Sequence, residues 1–142
     1  MSVEENKAIV RRVIDAWNER DLEAAAQHFD HERYIWHGPN GEEYSASEHG
    51  FSDQGLRNEF EAFPDIRYEI ADMIAEGDKV VLRLVEPATH TGGEWLGIAP
   101  SGKQITLRST VILRIKDGKV VEEWDAYDML GTMQQLGASG GL

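Results

Sequence analysis

Arg114-Ile115-Lys116-Asp117-Gly118-Lys119-Val120-Val121-Glu122-Glu123-Trp124-Asp125 is the stretch that decides the fold. It sets an Asp-Gly pair between two runs rich in β-branched residues. Asp-Gly is favoured in tight hairpins, whose two central residues both need positive φ. The stretch therefore predicts paired strands over Lys103 to Ile115 and Lys119 to Tyr127. Further back, Glu76-Gly77-Asp78 separates two more such runs, Ile66 to Ile74 and Lys79 to His90. Thr91 to Gly102, with four glycines and Pro100, reads as a longer connection.

The amino-terminal half has a different period. Ser2 and Glu5 have capping-box spacing, and Ile9, Val10, Val13, Ile14 and Trp17 recur on one face of a 3.6-residue repeat, which predicts an amphipathic helix. Asp21 can cap a second, shorter helix through Leu22, Ala25, Ala26 and Phe29. His31 to His37 reads as a strand running into Gly38-Pro39-Asn40-Gly41. Asn40 to Gly55 has little periodicity and suits a mobile pocket lid before a third helix near Leu56 to Phe63. Helices first and antiparallel strands afterwards indicate an α+β fold, a curved sheet with helices on one face, giving a cone with an open mouth.

Composition narrows the function. At 142 residues the chain is one domain, residues 1–142, whose tail Gly137 to Leu142 is expected to fray. Without cysteine there is no disulfide, thiolate metal site or cysteine nucleophile. The acidic start lacks a signal peptide's pattern and no run is apolar enough to span a bilayer, so a cytoplasmic location is expected. A net charge of -12 disfavours nucleic acid and anionic membrane surfaces as partners. It would also suit a salt-rich cytoplasm, an expectation that a melt against salt concentration tests. Histidine spacing suggests no metal site.

The order and spacing of several short motifs carry a family resemblance over nearly the whole chain. They are Phe63-Pro64-Asp65, Glu76-Gly77-Asp78-Lys79-Val80, Thr89-His90-Thr91-Gly92, Gly97 to Lys103, the opening stretch Arg114 to Asp125, and Gln134-Gln135-Leu136-Gly137. In this the chain resembles the SnoaL-like polyketide cyclases of the nuclear-transport-factor-2-like superfamily. The resemblance implies an intramolecular aldol cyclisation by one acid/base carboxylate without metal or cofactor, and a homodimer formed through the outer sheet face. By register it places that carboxylate on Asp125. One position departs: where at least some of the cyclases hold a histidine in the preceding strand, this chain has Val111.

The residues supply their own candidates. Alternation puts Val121, Glu123, Asp125 and Tyr127 on one face of the last strand and Glu122, Trp124, Ala126 and Asp128 on the other. An aspartate enclosed by aromatic side chains has a raised pKa, useful for moving protons at neutral pH. Asp128 could instead be the pocket acid, or cap a final helical turn. His37 and His90, each at a strand end beside glycines, could stabilise an oxyanion or be held by backbone groups. Trp17, Trp36, Trp124 and Tyr127 would give aromatic walls for a small apolar or aromatic organic ligand, with Trp124 equally suited to a dimer face. Arg108 lies among apolar residues and needs water or a carboxylate, for which Glu86 and Glu123 are candidates. The same aspartate could activate water in a hydrolase or dehydratase. A non-catalytic module on this fold would have its pocket filled by its own side chains and Asp125 paired with a residue such as Arg108.

Overall fold

A computed structural model describes residues 1–46 and 54–137. Residues 47–53 of the expected lid thus lie outside the described residues, and so does most of the expected tail. The helix α1 (Val3–Asn18) opens with the Ser2–Glu5 capping box and buries Ile9, Val10, Val13, Ile14 and Trp17. Then α2 (Leu22–Ala26) starts at Asp21, whose carboxylate accepts from the Ala24 amide. The chain continues through β1 (Ile35–His37), β2 (Glu43–Ser45), α3 (Gln54–Ala62), β3 (Glu69–Glu76), β4 (Lys79–Thr89), β5 (Gln104–Lys116) and β6 (Lys119–Tyr127), and ends in α4 (Met129–Leu136).

The six described strands form one curved, unclosed sheet in the order β2-β1-β6-β5-β4-β3. Neighbours pair antiparallel except β1 and β6, which run parallel. In the β5–β6 turn Asp117 and Gly118 both take positive φ, 53° and 76°, as the Asp-Gly pair requires. One register shift between Arg114 and Ile115 leaves Val121 as an extra residue in β6. Val80, Leu82 and Leu84 of β4 and Val111, Leu113 and Ile115 of β5 point inward against α1, Phe63 and Ile66, and form the core.

Some boundaries move for local reasons. The Asp30 carboxylate accepts from the amides of Glu32 and Arg33, so residues 31–33 turn and β1 begins only at Ile35. The Asn18 side chain takes both backbone groups of Tyr68, accepting from its amide at 2.7 Å and donating to its carbonyl at 3.0 Å. The ladder of β3 therefore starts at Glu69 rather than at Ile66. Within the stretch expected to be a lid, Glu43–Ser45 instead pairs with β1 as an edge strand.

Candidate active site

The concave face of the sheet, with α1, α2 and α3 beside it, encloses a cavity of about 750 Å³. Alternation along β6 turns Glu123, Asp125 and Tyr127 toward it, while Trp36 and Tyr44 enter from β1 and β2 and Trp17 and Tyr68 from the helical side. Trp36 stacks on Tyr44 at 5.7 Å, and Trp17 meets Tyr68 edge-on at 5.5 Å. The walls are thus mainly aromatic and aliphatic, suited to holding an apolar ring system.

Four carboxyl groups line this hollow: Glu59 from α3, Glu86 from β4, and Glu123 and Asp125 from β6. Each has an uncharged donor. Trp36 Nε1 donates to Asp125 Oδ2 at 2.8 Å, and the Tyr34 hydroxyl to Glu123 Oε1 at 3.1 Å. Ser109 Oγ donates to Glu86 Oε2 at 3.1 Å, and the Tyr68 hydroxyl to Glu59 Oε1 at 3.3 Å.

Desolvation disfavours the charged form of all four. It pushes Glu59 up to about 8, with the Glu86 charge adding to the effect, and Glu86 up to about 7. Burial also drives Glu123 well above the carboxylate range, with Asp125 beside it as a second cause. Asp125 is raised by burial too, against hydrogen bonds from Glu123 and Trp36 that favour its ionised form. Its Oδ1 is buried and has no partner among the described residues until Glu123 carries a proton to donate. Burial thus raises both members of this adjacent pair, Glu123 further than Asp125, and their protons are held in common rather than by either carboxyl alone. Across the ladder Asp125 faces Val111, an apolar neighbour that also lines the cavity. Among the described residues no group of three or more histidine, aspartate or glutamate side chains could hold a metal ion.

The chain matches the SnoaL-like polyketide cyclase family over residues 7–136. It belongs to that family. Among solved structures it resembles AclR of Streptomyces galilaeus, a proposed hydroxylase, with 31% identity and a TM-score of 0.86 over 99% of this chain and 86% of that one. TsrD of Streptomyces laurentii shares 27% identity, with a TM-score of 0.79 over 98% and 99% of the two chains. A proposed polyketide cyclase of Acidithiobacillus ferrooxidans shares 26%, with a TM-score of 0.76 over 96% and 97%. No match was found among curated proteins.

Within this SnoaL-like frame the expected residues divide. Asp125, Trp17, Trp36 and Tyr127 line the cavity, and so does Arg108, although its side chain is exposed. Neither Glu86 nor Glu123 partners Arg108, since each accepts from a neighbouring hydroxyl instead. Trp124 is not in the cavity. Odd positions of β6 face inward after the bulge, so Trp124 lies on the outer face, stacked on His37 at 5.0 Å. His37 is outside as well, its Nε2 2.7 Å from Glu122 Oε2, and cannot reach an oxyanion in the hollow. His90 is fully buried beneath Phe63, its Nε2 bonded to the Gly93 carbonyl at 2.8 Å. It pins the connection after β4 and does not line the cavity. Asp128 caps α4, accepting from the Gly131 amide at 2.8 Å.

Two cavity acids were not among the expected site residues, Glu86 having been considered only as a partner for Arg108. Glu59 looks like an ordinary exposed charge on a helix. Glu86 had a signal: it is the charged member of the inward series Val80, Leu82, Leu84, Glu86 and Ala88 in β4.

Proposed function

We propose that this chain catalyses proton transfer at a carbon next to a carbonyl, of the kind an intramolecular aldol cyclisation needs, on an apolar or aromatic organic substrate and without a cofactor. The observation that carries this reading is Asp125, enclosed against Trp36 and Val111 at the wall of a cavity large enough for such a guest. Its carboxylate, ionised while Glu123 holds the shared proton, removes the proton; as the acid it then returns it to the cyclised product. Desolvation raises the basicity of that carboxylate, and the proton on Glu123 keeps it available. Tyr127, two residues on along the same face, offers a hydroxyl to the developing enolate oxygen. The open hollow and the absence of an Asp125–Arg108 pair argue against a filled, non-catalytic module.

Deuterium exchange into an aromatic β-diketone, followed by NMR, tests this without knowledge of the natural substrate. Asp125→Asn is expected to slow exchange by about 10²- to 10⁴-fold while leaving the melting temperature undiminished. An active Asn variant refutes the assignment.

The protein is further proposed to act as a homodimer through the outer sheet face. Ile74, Val81, Ile112 and Trp124 pair in register across four strands and form an apolar row there. Ile74 is 64% exposed in the single chain. Light scattering should give twice the chain mass, and a monomer mass would contradict the proposal.

A further inference from the structure

The cavity's charge balance says something about the ligand. Among the described lining residues the charged side chains are Glu59, Glu86, Glu123, Asp125 and Arg108, and only Arg108 is basic. Arg108 is exposed on β5 and makes no ion pair with a described residue. Arg20, the other guanidinium near Tyr68, is spent elsewhere: it donates to the carbonyls of Trp17, Pro64 and Ile66 and lies over the Phe60 ring at 4.4 Å. Among the described residues the hollow therefore collects four acids and no interior cation to balance them.

The two pairs are not equivalent. The Glu123 and Asp125 carboxyls are close enough to share a hydrogen bond, and without a proton to make it Asp125 Oδ1 has no partner among the described residues. In the Glu59–Glu86 pair each carboxyl uses one oxygen on a neutral hydroxyl, Tyr68 for Glu59 and Ser109 for Glu86. The second oxygen of each makes no hydrogen bond with a described residue. Aromatic rings stand around them: Tyr68 is flanked edge-on by Trp17 at 5.5 Å and by Phe60 at 6.4 Å. Two carboxyl oxygens free to accept, beside aromatic rings, match an alkylammonium group, which brings three donors and a positive charge.

Resting on the reading of this cavity as the substrate site, we propose that its organic ligand carries a protonated amine, seated between Glu59 and Glu86 beside Tyr68, with the reacting carbon toward Asp125. An ammonium here takes the place of the carboxyl protons and turns half-buried Glu59 and buried Glu86 into partners of a charge-assisted contact. A neutral oxygenated ligand would leave the two carboxyls largely protonated and gain no charge-assisted contact. Glu59 and Glu86 would thus decide specificity, and Asp125 reactivity.

Naphthylmethylamine and naphthalenemethanol share one ring system and differ in ammonium against hydroxyl. Titrating each into the full chain at neutral pH by calorimetry separates charge from shape. The amine is expected to bind at least about tenfold more tightly, the scale of one hydrogen bond to a charged group. Glu59→Gln and Glu86→Gln should each abolish most of that preference while leaving alcohol binding, and hence the folded cavity, in place. Equal affinity for the two probes, or a preference that survives both substitutions, overturns the ammonium site and leaves the cavity as a substrate site. Binding of neither probe counts against both readings. The role of Asp125 is read separately, from exchange at carbon.

Discussion

Trp36 sets how strongly Asp125 holds its proton. Its indole N–H donates to Oδ2 at 2.8 Å, which favours the ionised carboxylate against the burial that opposes it. Trp36→Phe keeps the apolar wall and deletes this donor, so the carboxyl should become a weaker acid. The pH midpoint of diketone exchange should then rise, and the rate at neutral pH should drop about tenfold. A profile with an unmoved midpoint would show that the indole serves only as a wall. Asp125, Glu123 and Tyr127 were legible in the sequence because a strand has period two and the Asp-Gly turn fixes its start. His37 and His90 were not, because a histidine at a strand end carries no mark of the face it takes. One stacks outside on Trp124, and the other is locked to Gly93. Glu59 was hidden for the opposite reason: helical charges are common, and only the approach of α3 to the sheet brings this one into the cavity that Glu86 also lines.

At the scale of elements, the placement of α3 depends on a close backbone approach. The amides of Gly92 and Gly93 donate to the carbonyls of Ala62 and Glu61 at 3.1 and 3.0 Å, tying the end of α3 to the connection that follows β4. A side chain at Gly92 would drive its Cβ into the Glu61 carbonyl oxygen, a backbone atom with little freedom to yield. Gly92→Ala should therefore destabilise the fold by about 1–3 kcal/mol and shift Glu59 away from Glu86. Chemical denaturation checks the first effect, and a weaker preference for naphthylmethylamine checks the second. Normal stability with unchanged ligand preference would show that α3 is held by its apolar face alone. The long elements were readable from the sequence because caps, periods and turn chemistry agree, as in α1 with its Ser2–Glu5 box. Of the short edge pair, β1 was read within His31 to His37, but β2 was not, because three residues leave almost no alternation to read, and the parallel union of β1 with β6 joins residues too distant for a local pattern to show.

For the whole molecule, two populations of carboxylate respond to pH in opposite directions. Hydrogen bonds from the backbone and side chain of Arg33 bring Asp30 from 3.8 down to about 2, and Asp65 and Glu122 are lowered as well. Their contribution is present above the unfolded pKa and is lost as pH falls through the folded one. The cavity acids do the reverse. Glu59 moves from 4.5 to about 8 and Glu86 from 4.5 to about 7, so the folded state binds more protons than the unfolded chain between those values. Stability from this group is complete below about pH 4.5 and falls as pH rises toward 8. The melting temperature should therefore peak near about pH 5, between the two windows. A net charge of -12 also disfavours the compact state as pH rises, through repulsion across the surface, but salt separates the two causes. In about 1 M salt the Debye length is roughly 3 Å, which screens exposed charges and leaves enclosed ones largely unscreened. Salt should thus raise the melting temperature at neutral pH yet leave a residual fall between about pH 5 and 8. The Glu59→Gln, Glu86→Gln double variant, which has no carboxyl to ionise at either position, should reduce that residual to the part that Glu123 and Asp125 carry. A slope that vanishes in salt alone would place the whole effect on the surface, and would mean that the cavity acids are better hydrated than their enclosure implies.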